Sequence, residues 1–376
     1  MSRLVHVLPG LQVGGAERAL ERLLHAGLSR VYETHVISMG GDGEMLQALE
    51  AAGAQVHYRP SGTTLGAPAF LYGRLRQLRP DIVQAWMYHA NLATGIGRAL
   101  RILDAPVVWN IRQSLAAPSK DRPRTRAIIR AGAWVARASE AIVYNSALAR
   151  AHHEAIGYPS GHGVVIPNGF LPPAPPDPRA TVNLLAALEI PTGSPVVIHV
   201  ARFHPVKDHR TFVQAAVRIA AIAPEPIFVM VGRDVNWSNG DLIADIPAEY
   251  RTRFRLLGER QDIAQLLRAS DIFVLTSLAE AFPNALGEAM AAGLACVATN
   301  VGDVRQLISG HGRVVAPGDV EAVISAVLDY VTDEAARHRD GAHASTHIAG
   351  EYGLEAAVSR YTALYESALA RYRKQT

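Results

Sequence analysis

The chain has 376 residues, 49% of them hydrophobic and 19% charged, with 31 glycines and 22 prolines. That length exceeds one ordinary core and fits two domains of similar size, and the composition excludes a disordered or fibrous chain. The formal net charge of +3 hides an asymmetry: residues 1–170 carry 18 Lys+Arg against 11 Asp+Glu, and the remainder carries 19 against 23.

The amino terminus reads directly as a strand, LVHVLPG, with no secretory leader expected before it. Further apolar runs follow at THVISM, QVHYRP, IVQAW, PVVWNI, AIVYN and GVVIPN. Segments with apolar residues every three or four positions lie between several of them, as in AERALERLLHAGL. Strands alternating with helices imply a mainly parallel sheet covered on both faces. Residues 167–178, PNGFLPPAPPDP, hold six prolines and read as a semi-rigid connection. The alternation then returns with PVVIHVAR, IFVMVG, FRLLG, DIFVLTS, ACVATN and GRVVAP, and the chain closes on a long amphipathic helix from Gly353. No run of eighteen uncharged apolar residues predicts a membrane span. The single cysteine, Cys296 in GLACVAT, reads as a small core residue in a reducing compartment.

Several strand ends carry chemistry. Gly10, Gly14 and Gly15 precede a helix opening at Ala16, so backbone there can approach a ligand closely. Their spacing is not G-x-G-x-x-G, which argues against a nicotinamide enzyme. Arg202 and Lys207 leave the end of PVVIHVAR five residues apart, a fork and a mobile point charge suited to a diphosphate. Glu280 and Glu288 lie in SLAEAFPNALGEAMAAG, the first at a strand's carboxyl end and the second inside the next helix. Helix-start amides attract phosphate and carboxylates accept hydrogen bonds from sugar hydroxyls. No Asp-x-Asp at a strand end, no His-x-x-x-His and no cysteine cluster is read in the chain, so no metal and no cofactor is expected.

The Glu280-x7-Glu288 run, with Phe282, Pro283 and Asn284 between, resembles the signature of retaining glycosyltransferases of family 4. The resemblance implies an α/β fold of the GT-B kind, two Rossmann-like domains with parallel sheets facing a central cleft. The implied division is an acceptor-binding domain at 1–168, a proline-rich linker at 169–190 and a nucleotide-sugar-binding domain at 191–353. A final helix at 354–376 would cross back to the first domain. Arg202 and Lys207 match the pair that neutralises the leaving nucleoside diphosphate, and Glu288 the acid that binds ribose. Glu280, the backbone of Phe282, Pro283, Asn284 and Ala285, and His89 in MYHANL would position the sugar. Gly14 and Gly15, Arg233 after Gly232, Ile263 in GERQDI and Gly302 in TNVGD are further implied donor contacts. WNIRQS is similar to a segment of bacterial surface-polysaccharide members, where Asn110 and Arg112 would face the acceptor.

The implied reaction moves a sugar from a nucleotide-sugar, a UDP-sugar or else a GDP-sugar, to a glycan acceptor. A polyprenyl-diphosphate-linked acceptor in lipopolysaccharide, capsule or exopolysaccharide synthesis is expected, with the protein cytoplasmic and peripheral at the inner face of the cell membrane. The basic stretch 119–137, with Lys120, Arg122, Arg124, Arg126, Arg130 and Arg137 against Asp121, reads either as a solvated helix face or as a surface for an anionic membrane. Nucleic acid is not expected, because no recognisable binding module accompanies the charge. Two alternatives share the fold: a sugar-nucleotide epimerase, and a non-catalytic sugar-nucleotide-binding protein.

Overall fold

The computed structural model describes residues 1–60, 66–115, 123–171 and 177–375. The chain divides into two compact units, residues 1–169 with 354–376, and residues 170–353. Among the described residues of the first unit, seven strands form one sheet: β1 (Arg3–Leu8), β2 (Glu33–Ser38), β3 (Gln55–Tyr58), β4 (Ile82–Trp86), β5 (Val107–Ile111), β6 (Ala141–Tyr144) and β7 (Gly163–Val165). Their order is β3-β2-β1-β4-β5-β6-β7. The second unit holds β8 (Val196–Val200), β9 (Ile227–Val231), β10 (Phe254–Leu256), β11 (Ile272–Leu275), β12 (Ala295–Thr299) and β13 (Arg313–Val315), in the order β10-β9-β8-β11-β12-β13. Every strand pairing among the described residues is parallel.

A parallel sheet covered on both faces needs strands that are apolar throughout. IVQAW, VVWNI and IFVMV are buried at every position. The thirteen apolar runs of the sequence are these thirteen strands. In each unit the order reverses at the first strand, so β1 sits between β2 and β4, and β8 between β9 and β11. Helices leave toward opposite faces at such a point, and the loops after the two flanking strands open a crevice.

The final helix, Leu354–Gln375, packs within the first unit. Its Ala357, Tyr361, Leu364, Tyr365 and Ala368 lie in one core with Leu20, Leu24, Leu28 and Tyr32. Tyr365 meets Tyr32 edge-on at 5.6 Å. The partner helix Gly15–Leu23 continues as a wider turn over Leu24–Leu28, where Gly27 takes φ 116°, a conformation that suits glycine.

The expected linker 169–190 needs a correction. Its second part is the helix Pro178–Ala187, capped by Asp177, whose carboxylate accepts from the Arg179 amide at 2.9 Å. Pro178 occupies the first turn, where a missing N–H costs nothing. Leu184, Leu185 and Leu188 then pack on the second unit's core. Residues 172–176 of the proline run lie outside the described residues.

Within β8, His199 is fully buried and bonds through Nδ1 to the Val274 carbonyl at 2.9 Å. Burial, and then the neighbouring His209, lower its pKa from 6.5 to about 3. The unfolded chain therefore binds a proton first on acidification, so this contribution to stability is intact above pH 6.5 and is lost as pH falls below it. His199→Phe should flatten the fall in unfolding free energy between pH 6 and 4 by up to about 1.4 kcal/mol per pH unit, followed by urea titration. An unchanged slope would contradict the buried neutral assignment.

Candidate active site

The crevice of the second unit is built from the loops after β8 and β11. After β8 the chain runs through exposed Arg202 into a turn, Pro205–Lys207, and then into the helix His209–Ile222. Asp208 makes that passage at φ 45° and caps the helix, accepting from the Thr211 amide at 3.3 Å and its hydroxyl at 2.6 Å. After β11, Thr276 donates its hydroxyl to the carbonyls of Lys207 at 3.2 Å and Asp208 at 2.9 Å. The Leu278 amide donates to the Val206 carbonyl at 2.8 Å. These bonds hold the two loops in fixed register.

Lys207 and Glu280 meet across this junction. Lys207 Nζ donates to Glu280 Oε1 at 2.5 Å, and Ser277 Oγ donates to the same oxygen at 2.7 Å. Both side chains are partly buried, 24% and 12% exposed, so solvent screens the pair less than a surface ion pair. Among the described residues no donor reaches Glu280 Oε2, which remains an open acceptor. Arg202 forms no hydrogen bond or ion pair with the described residues.

Two glycines let neighbouring loops close on the pair. Gly232 has φ 153°, and a Cβ there would lie 2.1 Å from the Ala201 carbonyl oxygen. The Phe203 amide donates to the Arg233 carbonyl at 2.8 Å, so exposed Arg233 stands beside the Arg202 loop. Gly232 is bonded in turn to the Gly258 carbonyl at 2.8 Å, which joins the GERQDI loop to the edge. In that loop Arg260 pairs with Asp262 at 2.6 Å, and half-buried Ile263 opens the helix Ile263–Arg268. Gly302, at φ 54°, lies against the backbone of Glu280 and Ala281.

The helix Asn284–Ala291 follows Pro283, and no side chain caps its start. The Asn284 amide donates to the Phe282 carbonyl at 3.0 Å, so the partial positive charge of the helix start is offered by the amides of Ala285 and Leu286. Glu288 is half-buried in the second turn of this helix. The Phe282 side chain is 5% exposed and stacks on Phe170 at 6.0 Å, so at this position only backbone is offered to a ligand.

The first unit holds the remaining candidates at its own carboxyl edge. Gly14 and Gly15 open the helix Gly15–Leu23, and a Cβ at Gly15 would meet nothing within 4 Å. β4 turns into the helix Met87–Ala99 without a loop, because Met87 adopts φ 64°. His89 is thus an exposed residue of a helix's first turn rather than of a loop. Arg112 is half-buried, donates to Asn168 Oδ1 and lies over the Trp86 ring at 5.7 Å. Desolvation lowers its pKa, and the nearby Tyr361 opposes that shift. Burial raises the Glu17 carboxyl, against a backbone hydrogen bond and the attraction of Arg112.

Asn110 corrects the sequence reading. It is wholly buried in β5, its amide donates to the Tyr361 hydroxyl at 2.7 Å, and it does not face an acceptor. The expectation that no His-x-x-x-His occurs needs a correction: His343 and His347 are spaced one helical turn apart, a pattern compatible with metal ligation. The His311 ring lies edge-on to His343 at 5.7 Å and tilted against His347 at 5.4 Å, yet among the described residues no three His, Cys, Asp or Glu are placed to hold a metal ion.

Comparison with known proteins bears on this arrangement. The model of the family described as Glycosyltransferase Family 4 matches residues 13–170, and that described as Glycosyl transferases group 1 matches residues 194–333. Over 157 residues the chain is 34% identical to an Escherichia coli UDP-Gal:alpha-D-GlcNAc-diphosphoundecaprenol alpha-1,3-galactosyltransferase, covering 39% of each chain. Over 193 residues it is 28% identical to the N-acetyl-alpha-D-glucosaminyl L-malate synthase of Bacillus anthracis, covering 51% of this chain and 50% of that one. The matched region thus spans half or less of these relatives' length. The structure of Anabaena Alr3699/HepE in complex with UDP shares the fold, with a TM-score of 0.83 at 20% identity over 97% of this chain and 100% of that one.

At Gly302 a Cβ would stand 2.6 Å from the Glu280 carbonyl oxygen and 2.7 Å from that of Ala281, in a left-handed backbone. Gly302→Ala should lower unfolding free energy by about 2 kcal/mol through overpacking and strain. Gly15→Ala should leave it unchanged within about 0.5 kcal/mol. Urea midpoints check both, and equal midpoints for the two variants would contradict the assigned packing.

Proposed function

The chain belongs to glycosyltransferase family 4 and has the GT-B fold, and from that premise we propose that it transfers a sugar from a UDP-sugar to a lipid-linked glycan of a bacterial surface polysaccharide. The observation that carries the reading is the Lys207–Glu280 pair across the crevice between β8 and β11. A cation and a carboxylate with one open oxygen, beside an uncapped helix start, suit the diphosphate and the sugar hydroxyls of one ligand. The names of relatives support the substrate class: the E. coli relative uses UDP-Gal and a diphosphoundecaprenol acceptor, and the Anabaena neighbour holds UDP.

In this reading Lys207 and Arg202 neutralise the departing diphosphate, Glu288 holds the ribose and Glu280 Oε2 accepts from a sugar hydroxyl. Arg233, Ile263 and Gly302 complete the donor side, and the amides of Ala285 and its neighbours face phosphate. In the same reading Gly14, Gly15, His89 and Arg112 are the ligand-binding residues of the first unit. The anomeric carbon–oxygen bond to the diphosphate breaks, and the acceptor oxygen bonds to that carbon on the same face. Its proton passes to a diphosphate oxygen, so configuration is retained. No metal or cofactor enters this scheme. The protein contributes orientation and fixed charge.

Lys207→Ala should reduce turnover about 10²- to 10³-fold while leaving the urea midpoint near that of the parent chain. Near-normal turnover would remove Lys207 from the mechanism. In a panel of UDP- and GDP-sugars, a UDP-sugar should raise the melting temperature most, because ligand bound to the folded state stabilises it. A panel without any shift would overturn the donor assignment.

A further inference from the structure

The helix Pro123–Val135 of the first unit has one buried face and one exposed face. Ile129, Gly132 and, just beyond the helix, Ala136 are buried. The opposite arc carries Arg124, Arg126, Arg130, Trp134 and Arg137, all exposed. At 100° per residue, Arg130 lies next to Trp134 on that arc, with Arg126 beyond it and Arg124 on the other side, and exposed Arg137 follows in the turn Ala136–Ala138.

Two features set this face apart from an ordinary solvated helix. Trp134 is 88% exposed, whereas Trp86 and Trp109 are fully buried. None of the four arginines forms an ion pair with the described residues. An acid on this arc would cancel the local field, and the arc has none. Lys120 and Arg122, which also belong to the basic stretch of the sequence, lie outside the described residues.

We propose that this face is a docking surface for an anionic phospholipid bilayer, with the four guanidinium groups on lipid phosphates and the Trp134 ring seated among the headgroups. Guanidinium forks match phosphate oxygens, and an indole prefers the interface, where its ring is apolar and its N–H stays hydrated. Charge alone or one aromatic ring alone binds weakly, and the pair supplies the two signals that peripheral attachment needs. Among the described residues no helix is long and apolar enough to cross a membrane. The face carries one aromatic ring, which does not fit the stacking platform of a single-stranded nucleic acid. The inference rests on the first unit alone and stands or falls independently of the donor site.

Flotation of the full chain with two vesicle types tests it: phosphatidylcholine alone, and phosphatidylcholine mixed with phosphatidylglycerol. The chain should float with the anionic vesicles at low salt and be released by high salt. The triple variant Arg126→Gln, Arg130→Gln, Arg137→Gln should lose at least about tenfold in partitioning. Because these residues are exposed, the urea midpoint of that variant should match the parent and so separate lost binding from lost folding. Brominated acyl chains should quench tryptophan fluorescence in the parent and not in Trp134→Phe. Failure to float, equal flotation with neutral vesicles, or undiminished quenching in Trp134→Phe would each overturn the proposal.

Discussion

The Lys207–Glu280 contact depends on a topological fact before it depends on charge. Lys207 follows β8 and Glu280 follows β11, residues 73 apart in sequence. They meet because β8 and β11 are hydrogen-bonded neighbours at the point where the strand order reverses. A parallel sheet delivers every strand end to one edge, and the reversal opens the gap between adjacent loops. Thr276, Leu278 and Ser277 then fix the loops and the carboxylate, so the pair is held by backbone as much as by attraction. The cation is close to a carboxylate, and a diphosphate arriving there would compete with Glu280 for it.

Glycine enters this edge where backbone must pass backbone. Gly232 lies against Ala201, and Gly302 lies against Glu280 and Ala281, each with a positive φ and a carbonyl where a side chain would begin. At the corresponding edge of the first unit Gly15 has neither constraint. A glycine that its own fold does not require is what a site for close approach of a ligand calls for, which accords with its place at the helix start. The two kinds of glycine look alike in sequence and differ in what surrounds them.

Much of the architecture is legible in the sequence because strands buried on both faces leave uninterrupted apolar runs, and PVVIHVAR or DIFVLTS have few other readings. Arg202, Lys207 and Glu280 are legible for a related reason: charge immediately after such a run has to emerge at the sheet edge. Asn110 was misleading, since a polar residue near the end of an apolar strand looks like a site residue. Only the final helix, 251 residues further on, reveals the tyrosine that satisfies it. Pro178 reads as part of a rigid connector until Asp177 is seen to cap a helix behind it. The left-handed Met87 that starts a helix at His89 leaves no mark in the sequence, because no glycine announces it. Trp134 is the converse case, an aromatic ring at a helical position that composition would assign to a core and that the fold leaves outside.

The central claim is that Lys207 reads the diphosphate and Glu280 reads the sugar of a single donor. Calorimetric titration of Lys207→Ala and Glu280→Gln with UDP, and with the UDP-sugar that stabilises the parent chain most, separates the two roles. Lys207→Ala should weaken both ligands. Glu280→Gln should hold UDP at least as tightly as the parent chain does, since a competing carboxylate is gone, and should lose the affinity that the sugar adds. Parent-like affinities for both ligands in both variants would contradict the account.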